Sequence, residues 1–297
     1  MKIFSVFVIV LLYCFPTKAA KKHFFLQDDT LHTSMQTISP SINYTRLGFI
    51  AGGYTVTLAA IHIYQSNAWW KNLRTPFHFR EDLVYGANVD KAGHFVAANF
   101  TSFFINHSLQ WTDIDAVSSM YFGAIGGSLF ELYIEFEDGF SQWGFDRVDA
   151  TMDLLGAWYP VLQYHYPPLK NFRFKASYYP RKLNKPGGIQ GQQHIVVDDY
   201  EGQTFWLSVK TKNFFSEEIN KVFPTFLNLA AGMSVRGTGP GEKQHPVVLL
   251  GLDYDWEEII PQDTWTGTTW GKWLNFVRFP APAVQISPEF VWYGLYF

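Results

Sequence analysis

The sequence predicts an α+β chain, with an N-terminal bundle of about four helices followed by a C-terminal antiparallel β region. Three observations predict it. Long apolar stretches carrying acidic residues at helical spacing fill residues 43–168. Pro167-Pro168 then closes the helical part, because proline supplies no amide hydrogen for a helix ladder. Beyond it, Leu250, Leu252, Tyr254 and Trp256 alternate with Gly251, Asp253 and Asp255, the period of a half-exposed strand.

The helices follow in order. From Leu47 to Trp70 the chain has 24 residues without Lys, Arg, Asp or Glu, flanked by Arg46 and Lys71. That length can enter or span a membrane, and a buried helix in a soluble bundle fits as well. Gly48-x-x-x-Gly52 offers a face for close helix approach, and Trp69-Trp70 ends the run where an interfacial belt would lie. Residues 71–89 read as a loop. A second helix is expected from Asp90 to about His107, and a third from Asp113 to about Glu137, with Gly123-x-x-x-Gly127 as another small-residue face. Asp138-Gly139 breaks the third, and a fourth runs from Asp146 to about Leu162.

Strands are expected over Thr204–Thr211, Phe226–Met233, Leu250–Trp256, Phe276–Ile286 and Phe290–Phe297, five named segments in a region expected to hold about six. Pro280 and Pro282 make Phe276–Ile286 an edge or a bent strand. The closing Phe290-Val-Trp-Tyr-Gly-Leu-Tyr-Phe297 alternates aromatic residues and ends on Phe, like the terminal strand of outer-membrane proteins, although about six strands fall short of a membrane barrel. Trp265, Trp270 and Trp273, with Gly267 and Gly271, read as an aromatic turn region.

The N-terminus reads as a secretory signal over residues 1–20: Lys2, the apolar run Ile3–Phe15, and small residues around Thr17-Lys18-Ala19-Ala20. A polar linker is expected over 21–42, then a helical domain over 43–168 and a β domain over 169–297. Cys14, the single cysteine, lies inside the apolar run, so no disulfide is expected after export. Tyr13 stands where a lipobox needs a small residue. A net charge of −3 gives nucleic acid no footing as a partner. Aromatic residues make up 19% of the chain against 16% charged, a balance that favours a membrane or a large apolar interface.

Acidic pairs recur on the predicted helices. Asp90 and His94 are spaced i, i+4, as are Glu131 and Glu135, and Asp149 and Asp153; Glu135 and Asp138 are spaced i, i+3. Each pair shares one helix face, in apolar surroundings where an unpaired carboxylate is costly and a bound cation would offset the cost. Asp90, His94, Glu135, Asp138, Asp149 and Asp153 are therefore the candidate ligands of a divalent metal. One imidazole among carboxylates favours Mg²⁺, Ca²⁺, Mn²⁺ or Fe²⁺ over Zn²⁺. The same residues have plainer readings: Asp90 and Asp113 as helix N-caps, Asp146 and Asp149 as first-turn acids, Lys91 and Arg147 as ion-pair partners. No nucleophile elbow or phosphate-binding glycine loop is present: Gly139-Phe-Ser141-Gln-Trp lacks the second glycine. The sequons at Asn43, Asn99 and Asn106 are chance matches, and His62, His78 and His107 are read as structural.

Asp90-Lys-Ala-Gly-His94-Phe95, Glu135-x-x-Asp138-Gly139-Phe140-Ser141, Trp143-Gly-Phe145 and Asp149-x-x-x-Asp153-x-x-Gly156-Ala157 resemble the YfiM-like family of periplasmic lipoproteins. Asp199-Tyr200-Glu-Gly202-Gln-Thr-Phe-Trp-Leu-Ser208 and the ending Leu295-Tyr296-Phe297 resemble its longer members from Bacteroidota. A weaker similarity links the Asp-Lys-x-x-His opening to VanZ-like membrane proteins. The resemblance implies a place in the cell envelope and leaves the chemistry open.

Two functions are compatible with these residues. One is an exported, outer-membrane-associated scaffold whose structural metal ties the helices together, with the outer membrane or a complex in it as partner. The other is a metal-dependent hydrolase of envelope lipid or cell-wall phosphate, with Glu131 or Glu137 as the spare base.

Overall fold

The computed structural model describes residues 41–297, except 68–69, 72–73, 189–192 and 240. The signal-like run, Cys14, most of the expected linker and Trp69 lie outside the described residues. Four long helices lead: α1 (Tyr44–Asn67), α2 (Val89–Trp111), α3 (Ala116–Asp138) and α4 (Arg147–His165). Strands β1 (Phe172–Tyr178), β2 (Gln203–Val209), β3 (Leu227–Arg236), β4 (His245–Tyr254), β5 (Ala281–Ser287) and β6 (Val291–Tyr296) form one antiparallel sheet in sequential order. Short helices α5 (Glu217–Asn220), α6 (Trp256–Ile259) and α7 (Trp265–Leu274) lie between strands. The fold is the expected α+β, with β1 as a strand that sequence alternation did not single out.

Local chemistry sets the helix starts. Asp146 caps α4, its Oδ1 accepting from the amides of Val148 at 2.7 Å and Asp149 at 3.3 Å. The cap of α3 is Asp115, whose carboxylate accepts from Ser118 N at 2.9 Å. Asp113, expected in that role, instead adopts φ 66° and pairs with Arg46 at 3.5 Å. Asn88, in the left-handed region at φ 63°, precedes α2, so Asp90 lies in the first turn and is not the cap.

Glycine lets α2, α3 and α4 approach closely. A Cβ on Gly156 would stand 2.1 Å from the Phe95 carbonyl oxygen, and one on Gly123 would stand 2.5 Å from that of Ser102. Asn99 seals the first contact by donating to Gly156 O at 3.1 Å. Because the neighbour is backbone and cannot rotate away, Gly156→Ala is expected to destabilise the protein by about 3 kcal/mol, the upper end of overpacking costs. A chemical denaturation midpoint unchanged by that substitution would show that the two helices do not pack this way. The face expected at Gly48 and Gly52 meets nothing within 4 Å. Helix α1 buries only Ile50 and rests on the end of α2, where Arg46 donates to Trp111 O at 2.9 Å and Tyr54 to Ser108 Oγ at 3.2 Å.

The sheet curls until the segment before β5 returns to β1: Ala176 N donates to Phe276 O, and Arg278 N to Ala176 O, both at 2.9 Å. Its inner side holds Trp206, Val247, Leu249 and Ala283. Buried with them is a polar network in which Lys175 meets Asp253 at 2.7 Å and Ser208 donates to Asp253 at 2.6 Å. The outer side of β3 to β6 is apolar instead. Ala231, Leu250, Val284 and Trp292 are successive cross-strand neighbours there, and Leu229, Leu250 and Trp292 are about half exposed or more.

Two aromatic contacts fasten the sheet to the helices. Phe95 of α2 meets Phe174 of β1 with ring centroids 4.4 Å apart, and Phe205 of β2 lies against Gly93, where a Cβ would stand 3.2 Å from its ring. Trp273 packs on Phe100 and Phe104 of α2. The residues expected as an aromatic turn therefore form helix α7, capped by Thr264 accepting from Gly267 N at 3.0 Å.

Candidate metal centre

Helices α2, α3 and α4 turn their acidic faces toward one another. His94, Glu135 and Asp149 each offer a ligand atom, and these atoms lie within 4.8 Å of one another. His94 Nδ1 stands 3.1 Å from Asp153 Oδ1 and 3.7 Å from Glu135 Oε1, and His94 Nε2 stands 3.8 Å from Asp149 Oδ2. If Nδ1 donates to Asp153, the ring is oriented and Nε2 is left as the metal ligand, the carboxylate–histidine arrangement common around metals.

The other expected ligands have their own partners. Asp90 lies 3.3 Å from the Lys91 ammonium, which also binds Asp146 and Asp149 at 2.9 Å each. Asp138 accepts from the Trp70 indole at 2.6 Å. Trp70, expected at a membrane interface, is thus buried against this centre. Asp153, fully buried, reaches His94 and, among the described residues, no other hydrogen-bond partner. The centre therefore divides into a triad of His94, Glu135 and Asp149, the supporting Asp153, and a flank where Lys91 pairs with Asp146 and with one oxygen of Asp90. Of the two spare bases, Glu137 pairs with Arg74 at 3.0 Å at the surface, whereas Glu131 is buried beside the centre and accepts from Thr101 Oγ1 at 3.2 Å. Arg147 turns outward to Glu81.

Charge in the centre is unbalanced. Asp90, Glu131, Glu135, Asp138, Asp146, Asp149 and Asp153 outnumber Lys91 and His94. Burial pushes the Glu131 carboxyl up to about 8, and repulsion from Asp153 adds to it. Burial likewise raises Glu135 to about 8, opposed by His94 and aided by Asp149 and Asp153. Asp138 rises to about 6 on burial, against the indole bond that favours its charged form. For His94, burial alone would lower the imidazole, but Asp153, Asp149 and Glu135 overcome that and hold it up at about 10. The centre thus keeps protons it would release if a better cation arrived.

A cation fits the donor set on a further ground. Asp90 Oδ1, Asp149 Oδ1 and Asp153 Oδ2 are buried with no hydrogen-bond partner among the described residues, a state native proteins generally avoid. An oxygen-rich set with one imidazole suits a hard or borderline divalent ion.

Sequence spacing did not identify Lys91 as an internal cation, because a lysine next to an acid usually stays in solvent. It also missed Tyr200, which lies beside Tyr85 and is raised first by burial and then by the charges of Tyr85, Asp90 and Asp149. Its neighbour Asp199 is fully buried and accepts from Tyr178 Oη at 3.0 Å and from the amides of Arg181, Lys182 and Leu183. In the Asp199-Tyr200-Glu-Gly202 motif, then, Asp199 anchors the loop and Tyr200 approaches the centre. No family model, no curated protein and no solved structure matches this chain.

Proposed function

We propose that this is an exported, outer-membrane-associated protein of the cell envelope in which one divalent metal ion, held by His94, Glu135 and Asp149, ties α2, α3 and α4 into a scaffold. The observation that carries the metal is the convergence of these three donors from three helices beside orphaned buried carboxylate oxygens. Mg²⁺, Ca²⁺, Mn²⁺ or Fe²⁺ suits the set better than Zn²⁺. Asp153 orients His94, and Lys91 screens the Asp90 and Asp146 flank. The YfiM-like motifs fall largely on these residues, which supports a common role for them in that family.

Membrane association is supported by the apolar outer side of β3 to β6, where Leu229, Leu250 and Trp292 are about half exposed or more. Helix α1 adds to this, being long and apolar enough to cross a bilayer, with only 6% of its most apolar window buried. The membrane, or an apolar complex in it, is the partner this wall suits.

A second reading, hydrolysis of an envelope lipid or phosphate, is favoured by Glu131, a buried carboxyl beside His94 that the triad does not use and that is raised to about 8 by burial. Elemental analysis of the purified full chain tests the shared premise. One equivalent of a divalent metal is expected in the wild type, falling at least tenfold in Asp149→Asn. Metal-free protein from metal-replete growth, or equal metal in both proteins, would reject this centre.

A further inference from the structure

A cavity of about 760 Å³ lies between α1, α2, α3 and α7. Its walls include Ile50, Phe104, Ile105, Leu129, Phe130 and Trp273, and no Lys, Arg, Asp or Glu lines it. Several polar groups on its walls are engaged with one another or with the bundle: Tyr54 with Ser108, His62 with Tyr133, and Thr101 with Glu131. His107 is neutral there, since burial lowers it to about 3. The volume falls in the range of small-molecule sites, roughly 300–1,000 Å³. It is an apolar trough open along one side, where Phe49, Leu58 and Leu129 of its lining are 74%, 44% and 65% exposed.

The chemistry selects the occupant. With no cation on the walls, the carboxylate of a free fatty acid would have no counter-charge inside, so a headgroup must stay at the mouth and only an apolar chain can enter. One wall is α1, whose Phe49, Val56 and Ile63 are 74%, 70% and 61% exposed, so the cavity adjoins the most lipid-compatible surface of the helical part. We propose that the cavity holds one acyl chain of a membrane lipid, with the headgroup at its mouth. The proposal rests on the membrane half of the reading above and is independent of the metal.

A phospholipid carrying a photoactivatable diazirine on one acyl chain tests it, presented to the full chain in vesicles and in maltoside micelles, with labelled residues located by mass spectrometry. Gly53 lines the cavity and a Cβ there meets nothing within 4 Å, so Gly53→Phe adds a ring at the lining from an unobstructed Cβ; Gly48, equally open on the same helix, is outside the lining and provides the control Gly48→Phe. Label is expected on Ile105, Phe104 and Leu129, reduced at least fivefold by Gly53→Phe and changed less than twofold by Gly48→Phe. Label confined to outward residues such as Val56 and Phe122, which lie outside the lining, or equal internal label in both variants, overturns the proposal. So does no label at all, which leaves the chain's own first forty residues or a second copy as the occupant. Co-flotation with the vesicles separates the two claims. Protein that floats without internal label keeps its membrane association and loses the lipid site, and protein that does not float loses the association while the micelle arm still decides the cavity.

Discussion

Asp149→Asn is expected to abolish any gain in thermal stability from added divalent metal and to leave the metal-free protein folded. Asp149 is the residue through which the two cation sites of the centre meet, since its Oδ2 lies 2.9 Å from the Lys91 ammonium and 3.8 Å from His94 Nε2 while its Oδ1 has no partner. An asparagine can still accept from Lys91 but supplies no charge to a metal. A ligand present at about a thousand times its dissociation constant stabilises by about 4 kcal/mol. For a chain of this size that corresponds to a melting temperature higher by on the order of 10 °C. The expected result is a gain of that order for the wild type on adding Mn²⁺ or Ca²⁺ after chelation, and none for Asp149→Asn. The metal-free variant should melt no lower than metal-free wild type, because it loses one member of a crowded set of like charges. A wild type whose melting is indifferent to chelation and to added metal would contradict the account. The same variant separates a metal from a purely internal ion-pair network: in the latter, weakening the Lys91 pairing lowers stability whether or not metal is added.

Metal-free protein should lose stability as pH rises, and metal should reverse the trend. Glu131 and Glu135 move from ordinary values of 4.5 to about 8, Asp138 from 3.8 to about 6, and His94 from 6.5 to about 10. All four hold their protons more tightly in the folded state. For each, the stabilising contribution is fully present below the unfolded value and is lost as pH rises through the folded one. The windows overlap, running from 3.8 for Asp138 to about 10 for the histidine, so the signs add. A melting curve of chelated protein should therefore move downward steadily between about pH 5 and about pH 9. A divalent ion needs ionised carboxylates and a neutral imidazole nitrogen, so its affinity rises over the same interval and its binding releases protons. The gap between metal-bound and metal-free melting temperatures should widen with pH, and Glu131→Gln should flatten the lower part of the metal-free curve. A metal-free melting temperature that is level or rising across this interval would mean that the carboxylates are far better solvated than their burial implies.

Much of this was legible in the sequence, for identifiable reasons. The i, i+4 pairs survive folding because helix geometry alone puts Asp90 with His94, and Asp149 with Asp153, on one face. Gly123 and Gly127 announced the tight α2–α3 contact, and strand alternation revealed β4 because its two sides face different environments. What stayed hidden depends on long-range placement. Spacing cannot say which carboxylate of a pair will face a metal and which a lysine, so Asp90 and Asp149 looked equivalent until Lys91 was seen between them. Asp138 looked like a ligand until Trp70, from across the bundle, took its oxygen. Strand β1 escaped notice because Phe172, Phe174 and Ala176 alternate with Arg173, Lys175 and Ser177, which resembles a solvated segment; Lys175 is in fact buried, neutralised by Asp253. The tryptophans of α7 read as a turn because Gly267 and Gly271 suggested one, whereas these glycines serve close packing: a Cβ on Gly267 would stand 2.1 Å from the Pro261 carbonyl oxygen.

The central claim is that His94 is a metal ligand, and one spectroscopic measurement addresses it directly. Mn²⁺ bound to the full chain can be probed by electron spin-echo modulation for a coordinated imidazole nitrogen. The account predicts ¹⁴N modulation from one histidine in the wild type, retained in Glu131→Gln and absent in His94→Ala. Bound Mn²⁺ without nitrogen modulation, or modulation that persists in His94→Ala, would show that the metal does not sit among His94, Glu135 and Asp149.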